Sequence, residues 1–228
     1  GLVASALHLD NSDFLANNYV FTASTGNGSV IAEGDIFIVE GGFLALVARQ
    51  GITNSGVITA HGGDALLISA GQLTLTLNDS GLTGYAIENL NGTTQVGGHV
   101  NLGSASGNGG LLETAGKDVK LSGAFALNTG TNGTWSWTQD AITIGVAGSL
   151  SGNSVGNNLD LRNLILNAHN SGITVNDAVA WSGDTALTMN AKTGITVNNP
   201  IASAGTQASL TLTAASEDVS INAPVTAT

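Results

Sequence analysis

A five-residue repeat near the C-terminal end constrains the fold of this chain more than any other feature. The segment Gly-Ile-Thr-Val-Asn occurs at residues 172–176 and again, 22 residues later, at 194–198. A weaker copy, Asp-Val-Ser-Ile-Asn, follows at 218–222, and a short apolar segment follows each copy. A period in the low twenties, built from short segments with β-strand patterning, is typical of a solenoid. Such a chain is expected to act through an extended surface rather than a closed pocket.

Apolar and polar residues alternate with a period of two in several other segments, which predicts β-strands. The clearest examples are residues 72–77, 118–121, 142–144 and 209–213, each bounded by turn-forming residues. Glycine interrupts nearly every window long enough for a helix, and residues 159–168 are interpreted as a strand because Asn lies on both sides of them. The sequence therefore predicts an all-β fold without helices, a right-handed parallel β-helix with coils of roughly 22 residues.

Paired glycines suggest that the N-terminal half repeats as well. They occur at 41–42, 62–63 and 109–110, each before an apolar segment, and the first two pairs are 21 residues apart. A glycine pair suits a coil corner whose turn requires positive φ, although 32 glycines also allow recurrence by chance. Residues 82–100 are interpreted as an irregular stretch.

A polar segment at 128–134 breaks the period and is followed by Trp135 and Trp137. This break predicts two domains, residues 1–127 and residues 128–228, with the second continuing the same solenoid. The two tryptophans are expected to cover a coil interface or to provide surface aromatic contacts for a ligand.

Charge and composition exclude several classes of function. The formal net charge is −11, and the chain has only five Lys and Arg residues. A nucleic-acid-binding face needs clustered basic residues to neutralise phosphates, so no nucleic-acid partner is expected, and anionic membranes are disfavoured for the same reason. The absence of cysteine excludes disulfides and thiolate metal sites. No apolar run approaches the ~20 residues that span a bilayer.

Neither a catalytic nor a metal site is predicted, and no cofactor is expected. The four histidines, at positions 8, 61, 99 and 169, lack the close spacing of metal ligands, although stacked coils can bring distant residues together. Asp177, Asp184 and Asp218 offer oxygen atoms of the kind that calcium prefers, but solvated turn residues are the favoured interpretation. The acids show no pairing of the kind that glycoside hydrolysis requires, so the chain is predicted not to be an enzyme. Four Asn-x-Ser/Thr matches, at Asn27, Asn78, Asn91 and Asn132, are near chance in this composition.

Several segments together resemble the secretion domain of filamentous-haemagglutinin-type exoproteins. The motif Asn11-Ser12-Asp13-Phe14-Leu15 is one of them, and it predicts a functional role for Asn11, Asp13, Phe14 and Leu15. The other matching segments follow in the family's order at residues 1–7, 19–21, 28–31, 41–47, 52–60 and 109–116. The likeness covers about residues 1–120, and beyond them it is to generic adhesin repeats. The family's opening Asn-Pro-Asn motifs do not occur here, which predicts that the chain begins partway through the domain.

The resemblance implies a non-enzymatic adhesin fragment, exported by two-partner secretion through an outer-membrane partner. The expected location is extracellular or on the bacterial cell surface, and the expected ligand is a glycan or protein of a host or neighbouring cell. One alternative is a structural subunit that self-associates into an extracellular filament or sheath. Another is a β-helix polysaccharide lyase or hydrolase, which would need a cation-lined groove that five basic residues do not supply.

Overall fold

The computed structural model describes residues 1–24, 28–104, 109–122, 125–146 and 148–227. It divides into two compact units, Gly1–Gly130 and Thr131–Thr228. Both units are built from parallel strands stacked in successive coils, so the predicted parallel β-helix is confirmed. Neither helix in the described residues has the length and apolar composition needed to cross a bilayer.

In its described residues, the first unit has one short helix, α1 (Asn11–Leu15), and fourteen strands. The strands are β1 (Leu2–Ser5), β2 (Tyr19–Thr22), β3 (Ser29–Ala32), β4 (Asp35–Ile38), β5 (Phe43–Ala48), β6 (Gly51–Asn54), β7 (Val57–Ala60), β8 (Asp64–Asn78), β9 (Gly81–Leu90), β10 (Thr93–Val96), β11 (His99–Asn101), β12 (Leu111–Ala115), β13 (Asp118–Leu121) and β14 (Ala126–Asn128). Three parallel sheets form its coils, in the orders β1-β5-β8-β12, β3-β6-β10-β13 and β4-β7-β11-β14. Alternating side chains such as Leu44, Leu46 and Leu67 are at most 1% exposed.

The glycine pairs mark the same corner in successive coils, as predicted. The strands that follow them stack in register, with Phe43 beside Asp64 and Asp64 beside Leu111. Positive φ accounts for only part of this pattern. It occurs at the first glycine of two pairs, Gly41 with φ +70° and Gly62 with φ +61°. The second glycine of the two later pairs is required by close stacking instead, because a Cβ on Gly63 would lie 2.0 Å from the carbonyl oxygen of Gly42 and a Cβ on Gly110 would lie 2.1 Å from that of Gly63.

The second unit contains one helix in its described residues, α2 (Gly152–Leu159), and eleven strands. The strands are β15 (Thr134–Gln139), β16 (Ile142–Ile144), β17 (Asn163–Ala168), β18 (Ile173–Val175), β19 (Val179–Trp181), β20 (Ala186–Ala191), β21 (Ile195–Val197), β22 (Ile201–Ser203), β23 (Ser209–Ala214), β24 (Val219–Ile221) and β25 (Val225–Ala227). Its parallel sheets have the orders β15-β17-β20-β23, β16-β18-β21-β24 and β19-β22-β25.

The five-residue repeat forms three stacked strands of this second unit. Ile173, Ile195 and Val219 are register partners on β18, β21 and β24, and the short apolar segments form β19, β22 and β25. The closing asparagines form a side-chain ladder, with Asn198 donating to Asn176 at 3.0 Å and Asn222 donating to Asn198 at 2.9 Å. The repeat therefore encodes both the buried face of the coil and the hydrogen bonds of its turn.

The expectation of a fold without helices is wrong for residues 11–15, which form α1, and for residues 152–159, which form α2. The Ser151 hydroxyl accepts a hydrogen bond from the Ser154 amide, the Ser154 hydroxyl accepts one from the Ser151 amide, and both distances are 3.1 Å. This capping box starts α2. The glycines that argued against a helix allow it to pack on β19 and the residue before it, since a Cβ on Gly152 would lie 2.0 Å from the Ala178 carbonyl oxygen and one on Gly156 would lie 2.2 Å from that of Ala180.

The interpretation of residues 82–100 as irregular is also wrong. They form most of β9 and all of β10, and β11 begins at His99. The first part of β8 stacks within the coils, whereas its second part pairs antiparallel with β2 and β9. We call these three paired segments the outer sheet. The turn of its hairpin is fixed by the Asn78 side chain, which accepts a hydrogen bond from the Ser80 amide at 2.8 Å.

Candidate recognition surface

The outer sheet is held on the coils by a second apolar core. Val47, Leu66 and Ile68 project from the outer face of β5 and β8, and Leu73 and Leu75 project from the outer-sheet part of β8. All five side chains are at most 3% exposed. Burial of apolar side chains is the main stabilising term in folding, so this core fixes the outer sheet in place.

A partly buried hydrogen bond ties the hairpin to β12. The Tyr85 hydroxyl on β9 donates to Glu113 Oε2 at 2.7 Å, and Glu113 is 1% exposed. Asp64 lies on the same outer face and accepts a hydrogen bond from the Leu111 amide at 3.3 Å. Burial, reinforced by the negative charge of Glu113, raises the pKa of Tyr85 above its usual value, so the phenol stays a proton donor. Burial also raises the pKa of Asp64, against the lowering effect of the Leu111 hydrogen bond.

The four motif residues of the first unit lie together in the short helix α1 and just ahead of the outer sheet. Asp13 Oδ1 accepts a hydrogen bond from the Asn18 side chain at 3.2 Å. The Phe14 ring packs edge-on against Tyr19, with ring centroids 6.1 Å apart. Phe14 nevertheless remains 55% exposed and Leu15 81% exposed, so an apolar pair faces solvent. We call Phe14 and Leu15 the exposed pair.

Trp135 and Trp137 are not surface contacts, which corrects the prediction from the sequence. Both indoles are 1% exposed, because alternation along β15 places them on the inner face with Leu164 and Leu166 as register partners. Their rings pack edge to face at 5.4 Å, and Trp137 Nε1 donates to Gln139 Oε1 at 2.7 Å. The period-two spacing of the two indoles was the signal for this orientation.

The aspartates considered as calcium ligands act in turns. Asp177 accepts a hydrogen bond from the Gly152 amide at 3.3 Å, and Asp184 accepts one from the Gln207 amide at 2.9 Å. Asp218 is exposed and contributes its backbone carbonyl to the Ile195 amide. Within the described residues, no three His, Asp or Glu side chains form a group that could hold a metal ion.

Asp160 has a similar role that the sequence did not reveal. It accepts hydrogen bonds from the Ser182 amide at 2.7 Å, the Ser182 hydroxyl at 3.0 Å and the Gly183 amide at 3.2 Å. The hydrogen bond from the Ser182 amide is the main cause that lowers the pKa of Asp160. This carboxylate therefore links the segment after α2 to the turn after β19 in the next coil.

A shallow polar groove of about 270 Å³ runs across β16, β18 and β21 of the second unit. Thr143, Thr174 and Thr196 are register partners in it, so their side chains repeat at the spacing of stacked strands, ~4.8 Å. Thr193 and Glu217 also line the groove. A row of half-buried threonines can exchange hydrogen bonds with a polar, uncharged ligand. The threonine of the five-residue repeat was the sequence signal for this groove.

The asparagines of the glycosylation pattern differ in their surroundings. Asn78 is exposed at the hairpin turn, and Asn91 and Asn132 are also exposed, whereas Asn27 lies outside the described residues. No protein-family model matches this chain, and no curated protein matches it either.

Proposed function

We propose that this chain is a non-enzymatic fragment of a secreted or surface-exposed bacterial adhesin. It is exported by two-partner secretion, through an outer-membrane partner that contacts the exposed pair. It binds a surface glycan or protein of a host or neighbouring cell through the outer faces of its β-helical coils. The location proposed for the mature chain is extracellular or on the cell surface.

The observation that carries the proposal is the position of the exposed pair. Phe14 and Leu15 belong to the segment whose sequence resembles that of secretion domains, and they are 55% and 81% exposed just ahead of the outer sheet. Exposed neighbouring apolar side chains on an otherwise polar surface are typical of contact sites. A partner that covers both side chains removes apolar surface from water, which favours association.

Support for the adhesive role comes from the polar groove across β16, β18 and β21, which we call the threonine groove. Its lining presents hydroxyl groups at a regular spacing and only one acidic side chain, Glu217. A neutral glycan offers hydroxyl donors and acceptors along its length, and it has no phosphate or carboxylate to be repelled by a chain of net charge −11. The groove is therefore the part of the surface that we expect to bind glycan.

Export is tested with the full chain carrying a secretory signal peptide, in a bacterium with and without a two-partner outer-membrane transporter. We expect the chain in the medium only when the transporter is present. The variant Phe14→Ser/Leu15→Ser is expected to stay in the periplasm. The matched control is Val146→Ser/Leu161→Ser, which changes two apolar residues that are 99% and 66% exposed in the second unit. Export without the transporter, or equal export of both variants, contradicts the proposal.

Adhesion is tested with fluorescent beads that carry the full chain, applied to epithelial monolayers. Periodate treatment of the cells oxidises glycans, and protease treatment removes surface proteins, so the two treatments separate the two ligand classes. Thr174→Val/Thr196→Val removes two groove hydroxyls at nearly constant volume and is expected to reduce bead binding. Thr188→Val, on the outer face of β20 and outside the groove, is the control and is expected to bind as the unchanged chain does.

A further inference from the structure

An asparagine that is followed by glycine can lose its side-chain amide group by deamidation without an enzyme. The amide nitrogen of the glycine attacks the asparagine Cγ, and glycine allows the approach because it has no side chain. The sequence has this pair at Asn27-Gly28, Asn91-Gly92, Asn108-Gly109 and Asn132-Gly133. Asn27 and Asn108 lie outside the described residues, so the structure distinguishes between Asn91 and Asn132.

The Gly92 amide, which supplies the attacking nitrogen, is hydrogen-bonded to the side chain of Asn91. The Gly92 amide donates a hydrogen bond to Asn91 Oδ1 at 2.9 Å, which places its nitrogen next to the side-chain carbonyl. Asn91 is exposed, so water reaches it. Within the described residues the Gly92 amide donates to no backbone carbonyl, and its attack therefore breaks no hydrogen bond between coils. Holding nucleophile and electrophile together in this way removes much of the entropic cost of reaction.

The second pair lacks this arrangement. Asn132 has φ +58°, and no hydrogen bond between the Asn132 side chain and the Gly133 amide is present in the described chain. Gly133 is buried, whereas Gly92 is only partly buried. Burial keeps water and base from the Gly133 amide, which must lose its proton as it attacks.

We propose that Asn91 is a site of spontaneous deamidation in the folded chain, and that it reacts ahead of Asn132. The bond from Gly92 N to Asn91 Cγ forms, the bond from Cγ to the side-chain nitrogen breaks, and ammonia leaves with the amide proton. The resulting succinimide ring is opened by one water molecule. Opening at one carbonyl gives aspartate, and opening at the other gives isoaspartate, with the backbone routed through the side chain.

Isoaspartate at this position disturbs the stack of coils. The Asn91 amide donates to the Ser69 carbonyl at 3.0 Å, and the Asn91 carbonyl accepts from the Lys117 amide at 3.2 Å. An additional backbone methylene between these two groups prevents both hydrogen bonds from keeping their geometry. Asn91 also joins the outer-sheet hairpin to β10, so deamidation loosens the connection between the outer sheet and the coils. Isoaspartate that accumulates at Asn91 over time would therefore weaken the first unit.

The test compares Asn91 with Asn132 in one sample of the full chain. The folded chain and the chain unfolded in urea are incubated at mildly alkaline pH, and peptide mass mapping gives the rate at each asparagine. The folded rate divided by the unfolded rate is expected to be about tenfold higher at Asn91 than at Asn132. A ratio for Asn91 equal to or below that for Asn132 overturns the proposal.

The variant Asn91→Gln separates the site from the rest of the chain. Glutamine forms the corresponding six-membered ring much more slowly, so ammonia release from the folded chain is expected to fall while the rate at Asn132 stays constant. Enzymatic methylation of isoaspartate locates the product in the peptide that contains Asn91. Unchanged ammonia release from the folded variant contradicts the assignment.

Discussion

Ile195→Asp should unfold the second unit while the first unit stays folded. Ile195 lies on β21, is 0% exposed, and stacks between Ile173 and Val219. Truncating a buried isoleucine costs about 2–5 kcal/mol. The new carboxyl group adds the cost of an unpaired polar group in an apolar interior, about 2 kcal/mol or more even when it takes up a proton. The combined loss, about 4 kcal/mol or more, approaches the lower end of the stability of an ordinary domain, ~5–15 kcal/mol.

Tryptophan fluorescence reports the second unit alone. All three tryptophans, Trp135, Trp137 and Trp181, belong to residues 131–228, and none is more than 5% exposed. We expect the variant to show red-shifted emission in the absence of urea. In a solenoid each coil contacts only its neighbours, so the first unit is expected to survive proteolysis as a fragment close to Gly1–Gly130.

Thr196→Asp is the matched control for this prediction. It introduces the same side chain one residue later, where the side chain points outward into the groove. Its urea midpoint is expected to change by less than the equivalent of about 1 kcal/mol. Two results refute the reasoning: equal losses in the two variants, or proteolysis of Ile195→Asp that leaves no fragment of the first unit.

Two further substitutions test the first unit. Gly63→Ala places a Cβ 2.0 Å from the Gly42 carbonyl oxygen, so it should lower the free energy of unfolding by about 2 kcal/mol or more, whereas Gly34→Ala meets no atom within 4 Å and should be nearly neutral. Similar urea midpoints for these two variants would refute the stacking argument. Because the pKa of Asp64 is raised in the folded chain, its contribution to stability is complete below its ordinary value of 3.8 and is lost as pH rises through the folded pKa. Asp64→Asn should therefore stabilise the chain at neutral pH and have a smaller effect below pH 3.8, and a pH-independent difference would contradict this account.

The stacked coils were predictable because the inward-facing residues and the turn residues of the repeat recur together with one period. In the repeat, Ile and Val face inward at a period of two, and Asn recurs at the turn, so strand, register and turn agree. The corner glycines were located correctly, but their cause was only partly visible. Positive φ is a property of one residue, whereas the contact between Gly63 and Gly42 exists only after the coils have stacked.

The elements that the sequence analysis did not predict depend on contacts between distant parts of the chain. Glycine in a helix costs about 1 kcal/mol relative to alanine, so Gly152 and Gly156 argued against α2 until its packing on β19 was known. Alternation in β8 predicted a strand without showing that the strand leaves the coils halfway along its length. The motif around Phe14 was identified only through a resemblance to a family. The partly buried hydrogen bond between Tyr85 and Glu113 left no local pattern in the sequence that identified it.

The two insertions of the first unit explain why its recognition surface is separate from its coils. The segment with α1 and β2 leaves after β1, and the hairpin leaves after the coil part of β8, so both depart from the same corner of different coils. They pair with each other as β2 and β8, and together they cover the outer face of the first sheet. The chain re-enters the stack where the Asn91 amide bonds the Ser69 carbonyl, so β10 still pairs with β6 in register. Long insertions at such a corner cost mainly loop-closure entropy, which grows slowly with length. The first unit therefore gains the exposed pair without interrupting its coils, and changes at Phe14 or Leu15 should alter recognition while leaving the coils folded.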